Sequence, residues 1–190
     1  MSTIYSLMSG ATSSLDLSMY ELVDPQAEAV LAADAARGVT VRVVLDGNEE
    51  RTSNTAAYDD LSAHGVSVQW SPSTFYASHE KAMVIDGQTA VIMTGNLTSR
   101  YYPNTRDFAI VDSVAGDVEA IEQVFEADFT GAAVETLGSG PLVWSPGSQD
   151  ALVGFIQSAK LSVGVENEEL SNPAIVQPLV GDERRGVEVT

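Results

Sequence analysis

HEKAMVIDGQTAVIMTGN, residues 79–96, is the stretch around which the rest of the chain can be organised. His79, Lys81, Met83 and Ile85 lie at spacing two, interleaved with Glu80, Ala82 and Val84. Alternate residues of a strand share a face, so a strand here sets an imidazole and an ammonium on one side, roughly 6.5–7 Å apart along the backbone. Asp86-Gly87 is a hairpin-turn signal. Residues 89–93 continue as a second strand, closed by Thr94-Gly95-Asn96. The hairpin thereby gathers a nucleophile or base, a cation and an amide at one place. An ordinary core hairpin with polar residues at its tip is the competing reading, and a lone His-x-Lys would favour it.

Working outward, residues 66–70 (VSVQW) form a short strand, and 54–64 form a helix closed by Gly65. Residues 39–45 (VTVRVVL) are a nearly continuous apolar run, the pattern of a buried central strand. Ahead of it, Asp24 is an N-cap, Pro25 a first helical residue, and Arg37-Gly38 a helix stop. Residues 15–22 (LDLSMYEL) place Leu15, Leu17 and Met19 at strand spacing, and 4–13 read as a short amphipathic helix. Strand, helix, strand is a β-α-β unit, whose usual outcome is a parallel sheet. Past the hairpin come a loop over 99–106 (SRYYPNTR), a strand over 107–111 and a helix over 114–129, with Val118, Ile121, Val124, Phe125 and Phe129 at helical spacing.

Residues 131–140 are rich in Gly, Ala, Thr and Ser, and then the chain starts again. Residues 152–158 mirror the first helix, 161–165 (LSVGV) mirror the 15–19 strand, and Pro173 mirrors Pro25. Arg185-Gly186-Val187 mirrors Arg37-Gly38-Val39, with the same Pro-to-Arg distance in both copies. The expected organisation is a first repeat over 1–135, a linker over 136–150 and the beginning of a second, truncated repeat over 151–190. A strand pair with so little core needs a further segment or a partner to complete it.

Composition narrows the function. A net charge of −18 over 190 residues argues against a broad nucleic-acid surface, because steering a polyanion needs the opposite sign. Without cysteine and with two histidines, thiolate chemistry and a histidine-rich metal centre are excluded. No transmembrane segment is expected, since no apolar run approaches ~18 residues. The first basic residue is Arg37, so the N-terminus lacks the charged start of a signal peptide. A soluble protein is expected, secreted or periplasmic if a presequence has been removed.

His79-x-Lys81, four residues, Asp86, six residues and then Met93-Thr94-Gly95-Asn96 follow the pattern HxK(x)4D(x)6GSxN. On these residues the chain resembles the phospholipase D superfamily, whose HKD signature this is. It departs at Met93, where the family usually has Gly, and at Thr94, where it usually has Ser; Thr keeps the hydroxyl. Asp107, in Asn104-Thr105-Arg106-Asp107, stands where many members carry an acid. The resemblance spans one full repeat and the opening of a second. It implies an α/β fold with a mixed, largely parallel β-sheet flanked by helices, acting on a phosphodiester.

The roles it implies are chemically coherent. His79 would attack phosphorus and form a phosphohistidine. Lys81 and Asn96 would hold the phosphoryl oxygens, with Thr94 as a further hydroxyl donor. Asp107 would orient His79, while Asp86 and Gly95 would be structural. Arg100 and Arg106 flank the site and are candidates for phosphate contact; Arg51 reads as solvated surface and His64 as a helix-end residue. Tyr101, Tyr102, Phe75 and Tyr76 either line a groove or simply pack. No metal or other cofactor is required. The family pairs two motifs, one histidine as nucleophile and the other as general acid. A second half is therefore expected as a partner, from the remainder of the chain or another subunit. A phospholipid or other small phosphodiester is the favoured substrate, with a nuclease of the same family or a catalytically silent binding module as alternatives.

Overall fold

The computed structural model describes residues 1–134 and 140–190, so part of the linker expected over 136–150 lies outside the described residues. The chain divides into two compact units, Met1–Gly138 and Ser139–Thr190.

In the first unit, helix α1 (Ser2–Ser9) leads to strand β1 (Ser14–Met19) and the short β2 (Leu22–Val23). Helix α2 (Pro25–Ala36) begins as its sequence dictates: Pro25 fills the first turn, and the Asp24 carboxylate accepts from the Gln26 N–H at 3.0 Å. It stops at Arg37, where Gly38 takes a φ of 96° that a side chain would resist. Strand β3 (Thr40–Leu45), helix α3 (Arg51–Ala63) and strand β4 (Ser67–Trp70) follow. Next come β5 (Lys81–Ile85), β6 (Thr89–Met93), the short β7 (Leu97–Thr98), β8 (Ala109–Asp112) and helix α4 (Ala115–Thr130).

The six-stranded sheet has the order β4-β3-β1-β5-β6-β8. It is the mixed α/β sheet expected. Its parallel part is β4-β3-β1, joined by helical crossovers; β1-β5, β5-β6 and β6-β8 are antiparallel. The β5–β6 hairpin turns on Asp86 and Gly87 at φ values of 54° and 61°, the left-handed pair that an Asp-Gly turn supplies. On one face Leu15, Leu17, Met19, Val43 and Met83 pack under α1, α2 and α3. On the other, α4 lays Val118, Ile121 and Phe125 over the sheet. Arg42 lies on this second face, bonded to both Asp16 oxygens at 2.8 and 2.7 Å and set over Phe125 and Phe129.

Some boundaries differ from the sequence expectation. The strand expected from His79 begins at Lys81, and the one expected from Asp107 begins at Ala109. The helix expected over 54–64 starts at Arg51, because Asn54 turns its side chain inward to backbone partners rather than capping. Arg51 is exposed, as expected, but stacks on the Trp70 ring at 4.4 Å. His64 caps α3, its Nδ1 2.8 Å from the Asp60 carbonyl, in keeping with a helix-end role.

The second unit holds α5 (Gln149–Gln157), β9 (Ser162–Val163), α6 (Pro173–Arg184) and β10 (Glu188–Val189), with β9 and β10 parallel. Among the described residues no helix is long and apolar enough to cross a membrane.

Candidate active site

The register Met19↔Lys81 puts the start of β5 beside the carboxyl end of β1, next to the ends of the parallel strands. In open α/β sheets this is where ligands bind. Lys81 is buried at 6% exposure, which a lysine tolerates only with partners. Its ammonium donates to the His79 carbonyl at 2.7 Å and stands 3.1 Å from both ring nitrogens of His79. In a neutral imidazole only one of the two nitrogens can accept from that ammonium, the other carrying the ring proton. The same ammonium lies 5.0 Å over the Tyr20 ring, and the Tyr20 and His79 rings meet at 4.4 Å, tilted by 59°. His79 itself is exposed. The expected pairing of imidazole and ammonium is thus a direct contact, made between the first residue of β5 and a residue two positions ahead of the strand rather than by strand alternation.

The other end of the motif forms a second small group. Thr94 Oγ1 donates to Asp107 Oδ1 at 2.9 Å and accepts from the Phe108 N–H at 3.1 Å. Gly95 must be glycine here, because a Cβ would fall 2.9 Å from the Asp107 carboxyl carbon. Asn96 is half-buried, and its Oδ1 has no hydrogen-bond partner among the described residues. Met93 is half-buried, its side chain packed against the apolar core. Asp107, just ahead of β8, is thereby tied to Thr94, two residues before Asn96.

Asp86 lies at the opposite end of β5 from His79 and Lys81. It accepts from the N–H groups of Thr12, Ser13 and Ser14 and from the hydroxyls of Thr12 and Ser13. Burial works against its charge, but the Ser14 and Ser13 N–H groups and Thr12 outweigh that and hold the carboxyl well below the usual carboxylate range. Its structural role reaches beyond its own turn: it fastens the connection from α1 to β1.

Arg100 donates to the buried Glu21 at 2.9 Å and lies 4.6 Å over the Tyr101 ring. Its guanidinium therefore braces the 99–106 loop, whereas Arg106 is exposed in the same loop. Tyr102 is a packing residue: with Tyr5 it donates to one oxygen of Asp24, each at 2.6 Å. Phe75 and Tyr76 are exposed, Tyr76 bonding Glu49 at 3.0 Å.

Three residues outside the motif adjoin the site without any signal in its spacing. Tyr20 packs on His79. Burial and the charges of Glu50 and Asp46 push its phenol up to about 12, so it stays protonated near neutral pH. Asp46 is 1% exposed and accepts from the backbone N–H groups of Asn48, Glu49, Glu50 and Ser78. Asn54, fully buried, donates to the carbonyls of Tyr20 and Asp46 and accepts from Leu22. The position of Tyr20 and Asp46 at the carboxyl ends of β1 and β3 is the signal that could have found them.

Residues 4–129 match the family model described as "Cardiolipin synthase, PLD-like domain". The chain belongs to this phospholipase D-like family. No curated protein sequence matches it. Among solved structures, it is similar to the phospholipase D family member Nuc from Salmonella typhimurium. That match has 22% identity and a TM-score of 0.63, covering 70% of this chain and 89% of Nuc. NucT from Helicobacter pylori matches with 12% identity and a TM-score of 0.58, over the same shares. Polyphosphate kinase from Porphyromonas gingivalis matches with 16% identity and a TM-score of 0.67, covering 98% of this chain and 34% of the kinase. At these identities the likeness concerns the fold.

Proposed function

We propose that this protein is a phosphodiesterase that cleaves or transfers phosphodiesters through a phosphohistidine on His79. The observation that carries the reading is the Lys81 ammonium held against the His79 imidazole, with the Tyr20 ring packed beside both. An unprotonated nitrogen of His79 attacks phosphorus, an N–P bond forms, and the P–O bond to the leaving alcohol breaks. That alcohol takes a proton from a general acid, which in this reading is the histidine of a second motif supplied by a longer chain or another subunit. Water or an acceptor alcohol then attacks phosphorus, gives up its proton to that second histidine, and the N–P bond breaks, returning the electron pair to His79. Lys81 and Asn96 stabilise the charged equatorial oxygens. Asp107 acts from the segment before β8 by fixing Thr94 and, through it, the turn that carries Asn96.

A phospholipid or other small phosphodiester suits a chain of net charge −18 better than a long polyanion does. The test is to quench the full-length protein during turnover of bis(p-nitrophenyl) phosphate and map phosphoryl-bearing peptides. Label on the His79 peptide supports the reading; steady turnover with label on no histidine contradicts it. Turnover should also survive EDTA, and a loss restored only by a divalent metal would point to metal-assisted hydrolysis instead.

A further inference from the structure

His79 stands outside the sheet. It is exposed, and β5 begins two residues later, so the strand ladder does not reach it. Two other features meet it. Asp46 Oδ1 accepts from the N–H of Ser78, the residue immediately before His79, at 2.7 Å. The Tyr20 ring covers the imidazole at a centroid distance of 4.4 Å.

These two features are parts of one circuit. Asp46 Oδ2 accepts from the Glu50 N–H at 2.8 Å, and the charge of Glu50 bears on the Tyr20 phenol. Asn54 closes the inner side by holding the carbonyls of Tyr20 and Asp46 at 2.8 and 3.1 Å. Backbone hook and aromatic stop are therefore set against the same rigid strand ends. The first fixes where the His79 backbone stands; the second fixes the direction of its ring. An exposed imidazole that rotated would spend much of its time off the line of attack, and displacement by about 1 Å can cost on the order of 100-fold in rate.

We infer that Asp46 and Tyr20 are positioning residues for His79, joined through Asn54 into a frame that aims the imidazole. This rests on the reading of His79 as the reacting group. The mechanism as proposed asks nothing of either residue chemically, since neither exchanges a proton or touches the phosphoryl group in it.

The test combines kinetics with histidine NMR on the full-length protein. The sequence has two histidines, His64 and His79; the imidazole signal lost in His64→Gln and the one lost in His79→Gln assign them. With bis(p-nitrophenyl) phosphate as the probe, Tyr20→Leu and Asp46→Asn should each lower kcat by about 10–100-fold with KM little changed. Tyr20→Phe keeps the ring and should retain most of the rate. The His79 signals should move in Tyr20→Leu and Asp46→Asn, and those of His64 should not. Unchanged kcat and unchanged His79 signals in both variants would overturn the inference. So would equal disturbance of His64 and His79, which would mark a general loss of structure. Turnover retained by His79→Ala would sink the nucleophile reading instead, while the NMR comparison would still decide whether the frame holds His79.

Discussion

The first β-α-β segment and the second unit present the same local structure at a constant offset of 148 residues, Pro25 to Pro173. Asp24 and Asn172 both cap their helices by accepting from the N–H two residues on. Asp34 and Asp182 are both buried and both bound to an arginine three residues later, Arg37 and Arg185. Each arginine also reaches back to a carbonyl 28 residues earlier, Ser9 and Gln157. Ser14↔Thr40 recurs as Ser162↔Glu188. Burial differs. Leu15 is 0% exposed under the helices of the first unit, whereas Val163, its counterpart, is only half-buried. Caps, clasp and glycine stop are written locally and form in both places. The further cover in the first unit comes from α3, β4, the β5–β6 hairpin and α4.

The comparison can be broken most forcefully at its buried positions. Leu15→Ala should cost about 2–5 kcal/mol, against under about 1 kcal/mol for Val163→Ala. Trp70 lies in the first unit and Trp144 in the second, so tryptophan fluorescence in denaturant follows each separately once the other is changed to Phe. Equal losses at the two positions would mean that the two environments do not differ as described.

The clasp should show the opposite behaviour. Asp34→Ala and Asp182→Ala each remove a buried acceptor from an arginine and should each cost about 1–3 kcal/mol, read in the fluorescence of their own unit. A loss at Asp34 with none at Asp182 would make the recurrence one of shape without energetic equivalence.

The smallest effect concerns the cover supplied by α4. Burial, and then the charge of Glu80, push Asp128 up to about 6. Burial also raises Glu80. A carboxyl raised in the folded state keeps its proton there after the unfolded chain has lost it. The stability it contributes is therefore full below about pH 4 and is lost as pH rises through about 6. Asp128→Asn should raise the melting temperature at pH 7.5, by the equivalent of about 1–2 kcal/mol, and leave it unchanged at pH 4. A gain at pH 4 that vanished at pH 7.5 would reverse the assignment.

What is legible in the sequence follows the same division. The Asp24-Pro25 cap and the Asp86-Gly87 turn are local signals, and both appear in the structure. Strand spacing alone sets the second copy two residues out of register. It matches Leu161 with Leu15, yet Leu161 corresponds to Ser13 and is 84% exposed. A slip of two preserves strand alternation, so periodicity cannot detect it. The illegible part is non-local. Asp86 finds its partners 72–74 residues away, and Arg100 finds Glu21 79 residues away. Tyr20, Asp46 and Asn54 acquire a bearing on His79 only because the sheet order brings the ends of β1 and β3 beside the start of β5. No motif spacing encodes that meeting.

The central claim is that the reacting group of this chain is the histidine of the motif and not the one that ends α3. Turnover of bis(p-nitrophenyl) phosphate by the full-length protein, measured side by side for His79→Gln and His64→Gln, tests it. His79→Gln should fall below about a thousandth of the parent rate, while His64→Gln should match the parent. Parent-level turnover in His79→Gln would contradict the account.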